Sequence, residues 1–155
     1  MSDSNQNDLV GRCGLYCGAC VIYRAERDDP EMRKRFAARR NCPPEKVRCN
    51  GCGAVTPDCW GFKCRFALCL NKKGYQYCFE CRRYDSAACD QFEEFALNYL
   101  DDGVDLRANL TMIKERKTAE WLGLSEKRFR CPHCRKPVVA GASKCHHCRK
   151  DIPLP

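Results

Sequence analysis

Histidine is scarce in this chain: of 155 residues only His133, His146 and His147 carry an imidazole, and all three lie near the C-terminal end. A nucleophilic cysteine needs a base within hydrogen-bonding reach, so this distribution argues against protease-like or transferase-like chemistry elsewhere. Long apolar runs are missing too. Nothing approaches the roughly 18 to 20 uninterrupted apolar residues that a spanning helix requires, and the opening residues 1–8 lack the basic end and apolar stretch of a secretory signal. The expectation is a cytoplasmic protein with no membrane partner. No phosphate-cradling glycine loop, dinucleotide fingerprint or zinc-protease helix occurs, and there is neither a repeat of 20–50 residues nor a low-complexity tract.

Cysteine, by contrast, is abundant: sixteen residues, about a tenth of the chain. In secreted domains that density reads as disulfides; in a reducing compartment it reads as metal ligation. The spacing favours metal. Cys17 with Cys20, Cys49 with Cys52, Cys78 with Cys81, Cys131 with Cys134 and Cys145 with Cys148 are each two residues apart, so a tight turn can aim both sulfurs at one tetrahedral ion.

Formal charge is +8, which by itself would point to an acidic partner such as nucleic acid. Ligation undoes this. Were all sixteen cysteines thiolates around four divalent ions, the charge would fall to zero, which leaves basicity as poor evidence for nucleic acid.

Cysteine density divides the chain. Residues 1–10 read as a disordered polar tail and 153–155 as a short one. Residues 11–92 read as a cysteine-rich metal-binding domain, 93–128 as a helical connector packed on it, and 129–150 as a zinc ribbon. Asp29 and Pro30 predict an N-cap and first turn, a second helix is expected from about Phe62 to Lys73, stopping at Gly74, and Asp85 or Ser86 is expected to cap a third through Phe92, Phe95 and Tyr99. Asp105 predicts the start of a fourth, running through Leu106, Leu110, Ile113 and Trp121 to Gly123.

Cys131, Cys134, Cys145 and Cys148 form two knuckles ten residues apart, the pattern of a small ribbon closed by one ion. Zinc leads, because so short a segment buries too little to fold without metal; a rubredoxin-like iron centre has the same ligand set. The histidines read as bystanders in the knuckles, and Arg135, Lys136, Lys144, Arg149 and Lys150 as a basic surface.

Cys13, Cys17 and Cys20 have the gaps with which radical S-adenosylmethionine enzymes hold a four-iron cluster, but Ala19 stands where those enzymes place an aromatic residue, and their alternating strands and helices are missing. A closed iron–sulfur cluster is the stronger rival to zinc. Cys59, Cys64 and Cys69 are spaced by five, which on a helix separates side chains by about 140°. Some must therefore sit on loops or serve different ions. Cys42 and Cys59 are the candidates for non-ligands.

Cys-Gly-Leu-Tyr-Cys-Gly-Ala-Cys-Val-Ile-Tyr at 13–23, Cys-Asn-Gly-Cys at 49–52, Phe-Lys-Cys-Arg-Phe-Ala-Leu-Cys at 62–69, Gly-Tyr-Gln-Tyr-Cys-Phe-Glu-Cys-Arg-Arg-Tyr at 74–84 and then Cys89 together resemble an uncharacterised cysteine-rich family, a domain of unknown function (DUF3795), over residues 11–95. Family members often continue with a helix like that at 109–122 and a terminal ribbon. The resemblance implies metal binding, foremost of zinc, through Cys13, Cys17, Cys20, Cys49, Cys52, Cys64, Cys69, Cys78, Cys81 and Cys89, and implies no activity. Cys42 is an addition to the pattern, and Cys59 matches it less closely. The tyrosine-proline-cysteine that often closes the family motif is here Tyr-Asp-Ser-Ala-Ala-Cys at 84–89.

The expectation is therefore a mainly α, metal-organised domain with zinc knuckles, a helical connector and a β-type ribbon, binding up to four zinc ions. It serves as a non-catalytic intracellular interaction or regulatory module with a protein partner. An iron–sulfur redox protein is the alternative, and a nucleic-acid-binding module using the basic ribbon the second alternative.

Overall fold

A computed structural model describes residues 6–153. The disordered tail expected at 1–10 lies outside these for its first five residues, and 154–155 of the short C-terminal one also lie outside. The rest of the N-terminal stretch is structured: Gln6–Leu9 form a 3₁₀ turn, and Val10 is buried and bridged to Tyr16.

Seven α-helices carry the fold among the described residues. They are α1 (Val21–Asp28), α2 (Pro30–Arg39), α3 (Arg65–Lys73), α4 (Arg82–Asp85), α5 (Asp90–Asp101), α6 (Leu106–Lys114) and α7 (Thr118–Arg128). Asp29 caps α2 as its sequence predicts, its Oδ1 accepting from the N–H groups of Glu31 and Met32 at 3.0 and 3.1 Å. Gly74 ends α3 in the left-handed region at φ 72°, where a residue without Cβ is unstrained.

Several helix starts differ from expectation for one shared reason. Cysteines, not Asp or Ser, occupy the N-cap positions: Cys20 before α1, Cys64 before α3, Cys81 before α4 and Cys89 before α5. Helix α3 thus begins after Cys64 rather than at Phe62, and Asp85 falls inside α4 instead of capping α5. The knuckle residues Cys17–Ala19, Cys52–Ala54 and Cys78–Glu80 each form a 3₁₀ turn.

The single helix expected beyond Asp105 is two. Asp105 does cap α6, accepting from the Ala108 N–H at 3.0 Å, but Arg116 takes φ 62° and breaks the helix before α7. Gly123 sits inside α7. The break lets both apolar faces reach one core, in which Leu106, Leu110, Ile113, Trp121 and Leu122 meet Val10, Tyr16, Phe66, Tyr84 and Phe92. A second core joins α1 and α2 through Ile22, Ala25, Ala37 and Val47, with Cys42 packed at its margin. Gly14, at φ 92°, lets the loop lie on α6; a Cβ there would stand 2.6 Å from the Leu106 carbonyl oxygen.

The expected β-type ribbon contains no strand. It is closed by isolated antiparallel bridges, Arg130 to Pro137 and Lys144 to Asp151, one flanking each knuckle. Arg135 and Arg149, at φ 64° and 65°, turn the chain back so abruptly that only one residue pair follows before the backbones part. No helix among the described residues is long and apolar enough to cross a membrane.

Leu110 is fully buried in the larger core. Leu110→Ala should lower the free energy of unfolding by about 3 kcal/mol in a urea titration, through lost burial and the cavity left behind.

Candidate metal centres

All sixteen cysteines are free of disulfides. Fifteen of them line three interior sites, and Cys42 lies apart.

In the ribbon the four sulfurs of Cys131, Cys134, Cys145 and Cys148 lie within 4.8 Å of one another. The Cys131–Cys148 and Cys134–Cys145 sulfur pairs are 3.7 Å apart. Each knuckle repeats one construction. The first-cysteine N–H donates to the carbonyl five residues on, Lys136 or Lys150, at 2.9 Å. The N–H of His133 or His147 points at the sulfur two residues back at 3.4 Å. Burial raises the Cys131 thiol, but the N–H groups of Cys134 and His133 and the neighbouring thiols outweigh it and bring Cys131 down to about 6. The Lys150 N–H pulls Cys148 down, yet burial and the other three thiols push it up to about 11. Four sulfurs so close compete for protons, a competition that a cation resolves.

A second group forms around a cavity of about 20 Å³ walled by Cys69, Cys78, Cys81 and Cys89 with Phe66, Leu70, Tyr84 and Phe92. Space of that size is close to the roughly 10–15 Å³ that a single water occupies by the same measure. Burial, with Cys89, Cys69 and Cys81 alongside, pushes the Cys78 thiol up to about 12. Arg12 anchors this segment to the first cysteines: its guanidinium donates to the carbonyls of Gln76 and Tyr75 at 2.8 and 2.6 Å and to the Asn71 side-chain oxygen at 2.9 Å. The Cys78 N–H returns a bond to the Arg12 carbonyl at 3.1 Å.

The remaining seven, Cys13, Cys17, Cys20, Cys49, Cys52, Cys59 and Cys64, line one cavity of about 680 Å³. Glu26 on α1 positions Cys49, whose N–H it accepts at 2.9 Å, while Arg27 donates to the Cys49 carbonyl at 3.0 Å. The Cys52 N–H points at the Cys17 sulfur, 3.4 Å away. Cys17 holds its proton well above the ordinary thiol range because it donates to Cys52 and is buried; the same bond draws Cys52 down to about 7. Burial and the nearby Cys52 raise Cys13, and burial raises Cys20 against hydrogen bonds from the Tyr23 and Ile22 N–H groups at the start of α1. Cys59, a candidate non-ligand, is 5% exposed and forms part of this wall. The five-residue spacing of Cys59, Cys64 and Cys69 resolves as the helix geometry requires: the first two face the large cavity, and Cys69, within α3, faces the small one.

The histidines have a role that the sequence reading missed. His146 Nε2 lies 3.0 Å and His147 Nε2 3.4 Å from Asp28 Oδ2, at the last residue of α1, and Arg24 Nη1 is 3.4 Å from the same oxygen. A carboxylate oxygen of Asp28 and one ring nitrogen each of His146 and His147 lie within 4.8 Å of one another. Arg24 already supplies a cation there, and burial and His146 push His147 below its ordinary range. Arg149 and Asp29, at 3.5 Å, and the Ala140 N–H to the Ala19 carbonyl, at 3.0 Å, complete a seam that docks the ribbon on α1. The one local signal for it was the Arg24–Asp28 pair at helical spacing.

A mainly helical, cysteine-rich fold with a four-sulfur group able to hold a metal ion defines the class. The chain belongs to the family described as "Protein of unknown function (DUF3795)", whose model matches residues 9–94. No curated protein and no solved structure matches it.

Asp28→Ala leaves His146 buried without its acceptor. The variant should lose about 1–3 kcal/mol of stability, and the Ala140 amide should exchange with solvent faster while amides within α3 keep their protection. Equal exchange at Ala140 in both proteins would show that the seam does not hold the ribbon.

Proposed function

We propose that the protein is an intracellular, zinc-organised interaction or regulatory module with no reaction of its own. The observation that carries this is the sulfur geometry of the ribbon. A zinc ion with Zn–S bonds of about 2.3 Å needs sulfurs about 3.8 Å apart at the corners of its tetrahedron, and the two close pairs stand at 3.7 Å. A closed all-thiolate shell leaves no position for a substrate or water, which suits a structural ion.

The four cysteines around the small cavity support a second zinc on other grounds: single-ion volume, apolar walls and a Cys78 thiol that burial holds protonated until a cation displaces the proton. Sixteen disulfide-free cysteines are consistent with a reducing compartment. Leu97 and Leu100 on α5 and Leu124 on α7 are more than half exposed, which favours a protein partner. Nucleic acid finds less support, since Lys144 pairs with Asp151 and Arg149 with Asp29 on the basic ribbon.

Metal analysis of purified full-length protein should find about two zinc ions per chain, one for each four-cysteine site. Cys131→Ser should lose one while the helical circular dichroism persists, and Cys78→Ser should lose the other with a larger drop in stability. Full zinc content in Cys131→Ser would overturn the ribbon assignment.

A further inference from the structure

Site size separates the seven-cysteine cavity from the other two. At about 680 Å³ it is far larger than the 20 Å³ space among Cys69, Cys78, Cys81 and Cys89. One tetrahedral ion draws its four sulfurs to about 3.8 Å and fills a cavity of the smaller kind. The large cavity's seven cysteines are three more than one tetrahedral ion can use. An iron–sulfur cluster brings its own sulfides, and its thiolates each bind a different iron, so they stand further apart than ligands of a single ion.

We propose that this cavity holds an iron–sulfur cluster of the four-iron type, ligated by Cys13, Cys17, Cys20 and Cys52. The four come from two knuckles that the fold has already joined, through the Cys52 N–H on the Cys17 sulfur. Leu15, Ile22, Trp60, Phe66 and Phe95 supply apolar walls that limit water access to bridging sulfides. Lys46, Lys63 and Arg65 also line the cavity and offset the net negative charge that four thiolates give a cluster. Cys20 stands at the N-cap of α1, beside the positive end of that helix. Cys49, Cys59 and Cys64 remain in the wall as spare thiols. This assignment is independent of zinc in the ribbon.

The test is a count of iron, acid-labile sulfide and zinc in full-length protein purified without oxygen, with its visible spectrum before and after dithionite. About four irons and four sulfides per chain should accompany the zinc, with a broad visible absorption that bleaches on reduction. Cys52→Ser should lose iron and sulfide at least tenfold while keeping its zinc, and Cys42→Ser, outside the cavity, should keep all three. A colourless protein with more than two zinc ions and no sulfide overturns the cluster but leaves the ribbon assignment standing. A Cys52→Ser variant that keeps its iron and colour overturns the ligand set. Should that variant fail to fold, the wild-type count decides alone.

Discussion

Thiols gathered together repel one another once ionised and make poor hydrogen bonds when neutral, and this fold sets fifteen of them around three spaces, of which the ribbon brings four sulfurs close enough to hold a metal ion. The protonation pattern expresses the frustration. Cys13, Cys17, Cys49 and Cys78 are pushed up, while Cys52 is drawn down because the Cys17 thiol donates to it and Cys131 chiefly by the N–H groups of Cys134 and His133. Both apolar cores of the helical part take in buried cysteines, Cys13 and Cys78 in one and Cys49 and Cys59 in the other. Metal ligation is the interaction that would let such short helices form a stable unit.

The cysteine N-caps give this a local mechanism. Four helices begin directly after Cys20, Cys64, Cys81 or Cys89, none of which makes an ordinary side-chain cap. A thiolate there faces the partial positive charge of the helix start, worth about 0.3–1 kcal/mol for an exposed anion. Each such helix is therefore aimed by its sulfur, and helix direction and site geometry are set together. Had α1 or α5 carried Asp or Ser caps, they would have been free to tilt about the knuckle.

That coupling is also why only part of the arrangement could be read from residues in order. The ribbon's four-cysteine group was legible, because its members lie within one short segment whose spacing brings their sulfurs together. The Asp29 and Asp105 caps and the Gly74 stop were legible for the same reason, their effects being confined to one turn. Helix starts at cysteines were not, since cysteine ranks poorly as a cap and gains the role from what lies across the cavity. Nor could spacing show that Cys69 joins Cys78, Cys81 and Cys89 while Cys64 does not; that follows from α3 passing between the two sites with Phe66 in the wall of both. The break at Arg116 was hidden by an apolar stripe that continues across it, because both halves face the same core. The ribbon's lack of strands was likewise invisible, as two tight turns satisfy the same cysteine pattern with or without a ladder.

Helix α1 ties the sites into one object. It starts at Cys20, in the wall of the large cavity, and ends at Asp28, where His146 and His147 of the ribbon converge. Eight residues at 1.5 Å each make it about 12 Å long, too short to bend appreciably. In between, Glu26 and Arg27 hold the backbone of Cys49, a second wall residue. The cavity wall and the ribbon seam thus meet on one short helix, with His146 and His147 adjacent to ribbon cysteines. Since the Ala140 bond to Ala19 grips the knuckle just ahead of the same helix, the ribbon is held at both ends of α1. The three histidines all lie in the ribbon, and two of them fasten it to the far end of a helix that begins after a cysteine.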